Sequence, residues 1–192
     1  MSTLVQTIKK KLGHHPKPID PNAEGMSETL QPGKTDHFVQ GAGAAVLAGI
    51  YKYGRTKEGA NAILNGTGID WISAIFHGNE NDVVQRVASY GGKGTDESRS
   101  AMANIANEAV ACIRESVGKD ADERTVKTFL VAQRHEILSY LPAELNMGEV
   151  LNDGTLDDRT NKMDGPISTF VHAVGATFSK NSDDRKEDKD WD

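Results

Sequence analysis

The amino-acid sequence predicts an all-α protein: a compact bundle of short helices with peripheral helices at the N- and C-terminal ends. Three observations predict it. Apolar residues recur at steps of three and four, as in Met102, Ile105, Ala106, Ala109, Val110, Ile113 and Val117, which places them on one helical face. Alternation of apolar and polar residues, the mark of a half-buried strand, persists nowhere. Helical stretches are closed by glycine: at Gly54, at Gly66 with Gly68, at Gly78, at Gly91 with Gly92 and Gly94, and at Gly118. Glycine accepts the left-handed C-cap without steric cost, so these positions read as capped turns.

The elements follow in order. Residues 1–12 form a short amphipathic helix with Leu4, Val5, Ile8 and Leu12 on one face and Lys9, Lys10 and Lys11 beside it. That face suits docking on a partner or on the body of the chain, and only weak contact with a membrane surface, because eleven or so residues carry little apolar area. Residues 13–34 read as a linker, with Pro16, Pro18, Pro21 and Pro32 opposing helix formation. The core domain, 35–151, opens with a helix from His37 to Tyr53, capped by Thr35 or Asp36. Gly41, Ala45 and Gly49 recur there at a spacing of four. They make a flat face on which another backbone can lie closely.

Helices over Lys57–Leu64, Ile69–Phe76 and Asp82–Tyr90 come next, then a long one from Asp96 to Val117 with Thr95 as its N-cap. Asp122 caps a helix holding Val126, Phe129 and Leu130. A separate helix holds His135, Ile137, Leu138 and Leu141 and stops at Pro142; Leu145, Met147, Val150 and Leu151 add a short turn. Residues 152–165 read as polar loop. After Pro166, Ile167, Phe170, Val171, Val174 and Phe178 form one apolar stripe, so 152–180 is a loop followed by an amphipathic helix. Residues 181–192 are a charged tail, expected to be disordered.

Composition narrows the function classes. A length of 192 residues fits one domain with tails. The net charge of −6 disfavours binding to duplex nucleic acid, which rewards a basic excess. Cys112 is the single cysteine, so no internal disulfide forms. The stretch Gly41–Tyr51, free of polar side chains, is too short for the roughly 20 residues a membrane span needs. No apolar targeting segment follows the N-terminal lysines, and a cytoplasmic location is expected.

Several segments together resemble a known family. They are Ala44-Ala45-Val46-Leu47-Ala48-Gly49-Ile50, then Thr56-Lys57-Glu58-Gly59-Ala60 leading to Ile63-Leu64-Asn65. After the long helix come Phe129-Leu130-Val131-Ala132-Gln133-Arg134-His135-Glu136-Ile137 and Leu141-Pro142-Ala143-Glu144-Leu145. Over about residues 35–151 the chain resembles the bacterial domain-of-unknown-function family that includes the YidB-like proteins. The resemblance implies a small helical domain, with no catalytic residue to carry over.

The residues themselves present no catalytic or metal-binding pattern. His14 and His15 are adjacent, so their rings point apart. His135-Glu136 lacks the second histidine four residues on that a zinc helix needs, since Ser139 stands there. Asp120, Asp122, Asp153, Asp157 and Asp158 do not match the alternating oxygen ligands of a calcium loop. Gly91-Gly92-Lys93-Gly94-Thr95 lacks the phosphate-loop spacing, though free N–H groups at a helix start can hold an anion. Cys112 lies mid-helix among apolar neighbours, where a thiol is inert. No cofactor is expected.

The function expected is therefore a non-enzymatic helical interaction or scaffold module. It would bind a protein partner or self-associate through Leu4, Val5, Ile8 and Leu12 and through Ile167, Phe170, Val171, Val174 and Phe178. The alternative is an enzyme or small-ligand-binding protein whose site is assembled from residues distant in sequence, with His37, His77 or His135 as base.

Overall fold

The computed structural model describes residues 4–12 and 34–156. All the regular structure in them is helical. The elements are α1 (Leu4–Leu12), α2 (Lys34–Tyr53), α3 (Lys57–Asn65), α4 (Trp71–Phe76), α5 (Glu80–Gly91), α6 (Thr95–Val117), α7 (Glu123–Ser139) and α8 (Met147–Val150). Two 3-10 turns, Ala143–Leu145 and Gly154–Leu156, flank α8. One compact unit spans Met1–Asp157; the second, Asp158–Asp192, lies outside the described residues. So do the C-terminal stripe, the charged tail and nearly all of the proline-rich linker.

The bundle is built around α2 and α6, which pack on each other. Each of α1, α3, α4, α5 and α7 packs on one or both of them, while α8 rests on α5. Small side chains put α2 in the middle. Ala42, Ala45, Val46 and Ala48 have no exposed surface, and Phe38, Ala44, Leu47, Ile50 and Tyr51 are also buried. The glycines of the small-residue face are where neighbours come closest. A Cβ on Gly41 would overlap the Tyr90 ring of α5, and one on Gly49 would overlap Ile75 and Phe76 of α4.

Local capping holds the shorter helices. The Thr56 hydroxyl accepts from the N–H of Gly59 (2.9 Å) at the start of α3. Asp70 accepts from the N–H groups of Ile72 (3.1 Å) and Ser73 (3.4 Å) at the start of α4. Asp122 accepts from the N–H of Thr125 (2.8 Å) and from its hydroxyl (2.6 Å). These satisfy first-turn donors that have no partner within the helix.

Several expectations change. The segment from Asp122 to Leu141 holds one helix, α7, rather than two: Val131-Ala132-Gln133-Arg134 contains no breaker, and the turn ladder continues to Ser139. Leu141 lies just past its end, because a residue before proline disfavours the helical region. Thr95 is the first residue of α6; Gly94 takes the N-cap place and makes no side-chain cap bond. Helix α2 begins at Lys34, before both expected caps.

Three of the eight closing glycines, Gly54, Gly66 and Gly91, sit where a Cβ would collide with a neighbour. Gly92 is left-handed (φ 63°) and donates to the carbonyls of Ala88 and Ser89. By contrast Gly54, whose φ is not positive, sits where a Cβ would meet Leu130 and Ile63. The core also runs past residue 151. Leu156 is buried, and Arg134 donates to the carbonyl of Thr155 (3.1 Å).

Candidate functional site

The docking residues expected at the N-terminus are placed on the body of the same chain. Helix α1 lies on α6 and α7. Leu4, Val5 and Ile8 are 2, 3 and 6% exposed and belong to the continuous core. Gln6 and Lys10, off that face, are exposed. The side chain of Leu12 is outside the described residues, as are those of Lys9 and Lys11. Ile167, Phe170, Val171, Val174 and Phe178, the C-terminal docking candidates, are outside them too.

A polar contact at its first residue helps to orient α1. The backbone N–H of Leu4 donates to Oε1 of Gln133 on α7 (3.0 Å). Leu4 opens the helix, so its N–H has no intrahelical acceptor, and a side chain from a different helix supplies one. Sequence reasoning missed Gln133: a glutamine in the middle of a helix carries no signal that it will cap another helix 129 positions away.

The docking of α1 and its folding are coupled. Helix α1 has nine residues. Isolated helices shorter than about 12–15 residues are marginal in water, so the helix depends on the surface that buries its apolar face. Burying each large side chain contributes roughly 1.5–3 kcal/mol, against a backbone ordering term of similar order per residue. The segment therefore couples to the body with a modest net free energy. Helix-on-surface docking through i and i+4 apolar anchors is a recurrent mode of peptide recognition.

Elsewhere the polar side chains hold the bundle to itself. Arg114 of α6 reaches the C-terminal end of α3 and donates to the carbonyls of Gly66 (2.6 Å), Ala62 (3.3 Å) and Ile63. Arg86 of α5 donates through Nε to both oxygens of Asp82 (3.1 Å each), and through its terminal nitrogens to Glu149 (3.2 Å) and the carbonyl of Leu145 (3.4 Å). The hydrogen bonds that Arg86 donates to Asp82, first, and to Glu149 raise the guanidinium above its already high value. Arg99 of α6 pairs with the cap of α4, Asp70 (3.0 Å). The Ser73 hydroxyl, first, and then backbone donors and Arg99 hold the Asp70 carboxyl below the usual aspartate value.

The histidines considered as bases stand on different elements. His37 is half-buried near the start of α2, with its ring centroid 6.0 Å from that of Tyr90. His77 follows α4 and His135 lies on α7, both exposed. Among the described residues no three His, Cys, Asp or Glu side chains are grouped to hold a metal ion. Cys112 is buried. Among the same residues Val131, 54% exposed, is the large hydrophobic side chain that faces solvent, and no helix is long and apolar enough to cross a membrane.

No family model matches the chain, and neither does any curated protein or solved structure.

Proposed function

We propose that the chain is a non-enzymatic helical interaction or scaffold module, working in the cytoplasm, whose contacts are made by amphipathic terminal segments. The observation that carries the reading is the seating of α1 on α6 and α7 through Leu4, Val5 and Ile8. It supplies a body surface suited to a short amphipathic helix, with a polar clamp at the helix start. Among the described residues Val131 is the large apolar side chain that is exposed, and others such as Phe129 and Leu138 are partly buried against the core. The stripe Ile167, Phe170, Val171, Val174 and Phe178 is the second docking element of the proposal. The resemblance of residues 35–151 to the YidB-like family of bacterial helical domains is consistent with such a role.

The test is capture of binding proteins from native cells by the full chain, set beside capture by Ile8→Asp and Phe170→Asp variants that retain their helical circular dichroism. The expected result is loss of specific partners from at least one variant. Identical partners at identical yield from all three chains would overturn the proposal.

A further inference from the structure

We infer that Asn65 is a deamidation site whose rate Arg114 governs: when the C-terminal end of α3 opens, the Asn65 side-chain amide is converted to a carboxylate through a cyclic imide formed with Gly66. This chemistry is independent of any partner and does not rest on the interaction-module reading. Asn65 and Gly66 are the single Asn-Gly pair in the sequence. Glycine leaves the backbone nitrogen that follows the asparagine with the least steric cover, because no Cβ stands beside it. Packing requires the glycine: a Cβ there would overlap the Ile69 side chain and the carbonyl of Ala62. Position 66 therefore cannot shed its reactivity by taking a larger residue. Asn65 itself is exposed to the water that the reaction consumes.

The step needs water and nothing else. The Gly66 nitrogen attacks Cγ of Asn65, a new N–Cγ bond forms, the Cγ–N bond of the side chain breaks, and the Gly66 proton leaves with ammonia. Water then opens the imide at either carbonyl, leaving aspartate or isoaspartate at position 65. In the closed structure the attack is blocked. Asn65 is the last residue of α3, and the Gly66 N–H donates to the carbonyl of Ala62 at 2.8 Å, so the nitrogen is turned into the helix and keeps its proton. Arg114 fastens the same turn from α6, donating to the carbonyls of Gly66 (2.6 Å), Ala62 (3.3 Å) and Ile63. Release of the Gly66 nitrogen requires that turn to let go, and helix ends open locally without global unfolding. The guanidinium sets the cost of that opening. Conversion then acts on the same place. Aspartate puts a negative charge at the C-terminal end of α3, where the helix dipole disfavours it. Isoaspartate routes the backbone through an additional methylene, which shifts Gly66 relative to Arg114.

Site-resolved mass spectrometry of the full chain tests this. The unsubstituted protein and Arg114→Lys are held in warm, mildly alkaline buffer. The peptide containing position 65 is followed for the mass gain of amide-to-acid conversion, with isoaspartate separated from aspartate by chromatography. Conversion at position 65 should outpace that at every other described asparagine. Arg114→Lys with native circular dichroism should accelerate it roughly three- to tenfold, the gain in opening that loss of one hydrogen bond gives. A second readout needs no substitution and decides the matter if that variant does not fold. At urea concentrations below the unfolding transition, the conversion rate should rise in step with hydrogen exchange of the Gly66 amide, while amides in the middle of α6 stay protected. Equal rates in the unsubstituted and folded Arg114→Lys chains would overturn the proposal, as would conversion that rises only with exchange throughout α6. Conversion of Asn65 no faster than that of the other described asparagines would show that it is not a deamidation site.

Discussion

Individual side chains decide how the helix ends are satisfied. Arg114 spans from α6 to the last carbonyls of α3, where the helix leaves acceptors without intrahelical donors. Arg114→Leu should lower stability by about 1–3 kcal/mol through carbonyls left without a donor, read as a shift of the urea midpoint. Arg114→Lys should recover only part of the loss, since an ammonium cannot present the planar fork that reaches several carbonyls at once. Asp70 provides a pH signature. Its carboxyl is held below the ordinary 3.8, chiefly by the Ser73 hydroxyl, so the folded state favours the ionised form. The unfolded chain binds the proton more readily, so this contribution is complete above pH 3.8 and is lost as pH falls through the lower folded value. Asp70→Asn should flatten that part of the acid limb in a stability-against-pH curve. An unchanged curve would show that the cap does not titrate with folding.

At the scale of elements, α2 shows how one sequence pattern serves two different needs. Gly43 and Gly49 stand on the same helix, yet a Cβ on Gly43 meets nothing within 4 Å, whereas one on Gly49 overlaps Ile75 and Phe76. Gly43→Ala should therefore stabilise the protein by about 0.5–1 kcal/mol, because alanine loses less backbone entropy on entering a helix. Gly49→Ala should destabilise it by about 1–3 kcal/mol through overpacking. Melting temperatures moving in opposite directions would bear this out; the same direction for both would contradict the packing described for α2. The expectation of a close-packed small-residue face is met at Gly41 and Gly49, and the sequence spacing of four was enough to find it. The continuity of α7 is not legible in the sequence, because exposed residues such as Val131 and Ala132 fall off the buried stripe and look like an interruption when only the periodicity is read.

For the molecule as a whole, the arrangement separates a body from a docked segment. The body shares one core from Phe38 to Leu156, drawing side chains from every helix between α2 and α8. Helix α1 joins that core through Leu4, Val5 and Ile8 alone among its described side chains. Ile8→Asp should free residues 4–12 from protection in hydrogen exchange while amides of α2 and α6 stay protected, as expected for a unit of low local stability. Loss of protection throughout would instead make α1 an obligatory part of the cooperative body.

What the sequence determined by itself is local. Helical periodicity, the Asp122 cap and the need for small residues on α2 are all written within a few turns of the chain, because hydrogen bonds and side-chain neighbours in a helix lie within four residues. What only the tertiary structure decided is where the apolar faces go. Leu4, Val5 and Ile8 read equally well as residues for a partner, a membrane surface or the chain's own body, and their place on α6 and α7 depends on residues such as Gln133, more than a hundred positions away. The burial of Leu156 and the reach of Arg114 to α3 have the same origin. Hydrophobic burial is non-directional, so an amphipathic stripe states that it must be covered and leaves the choice of cover to the packed whole.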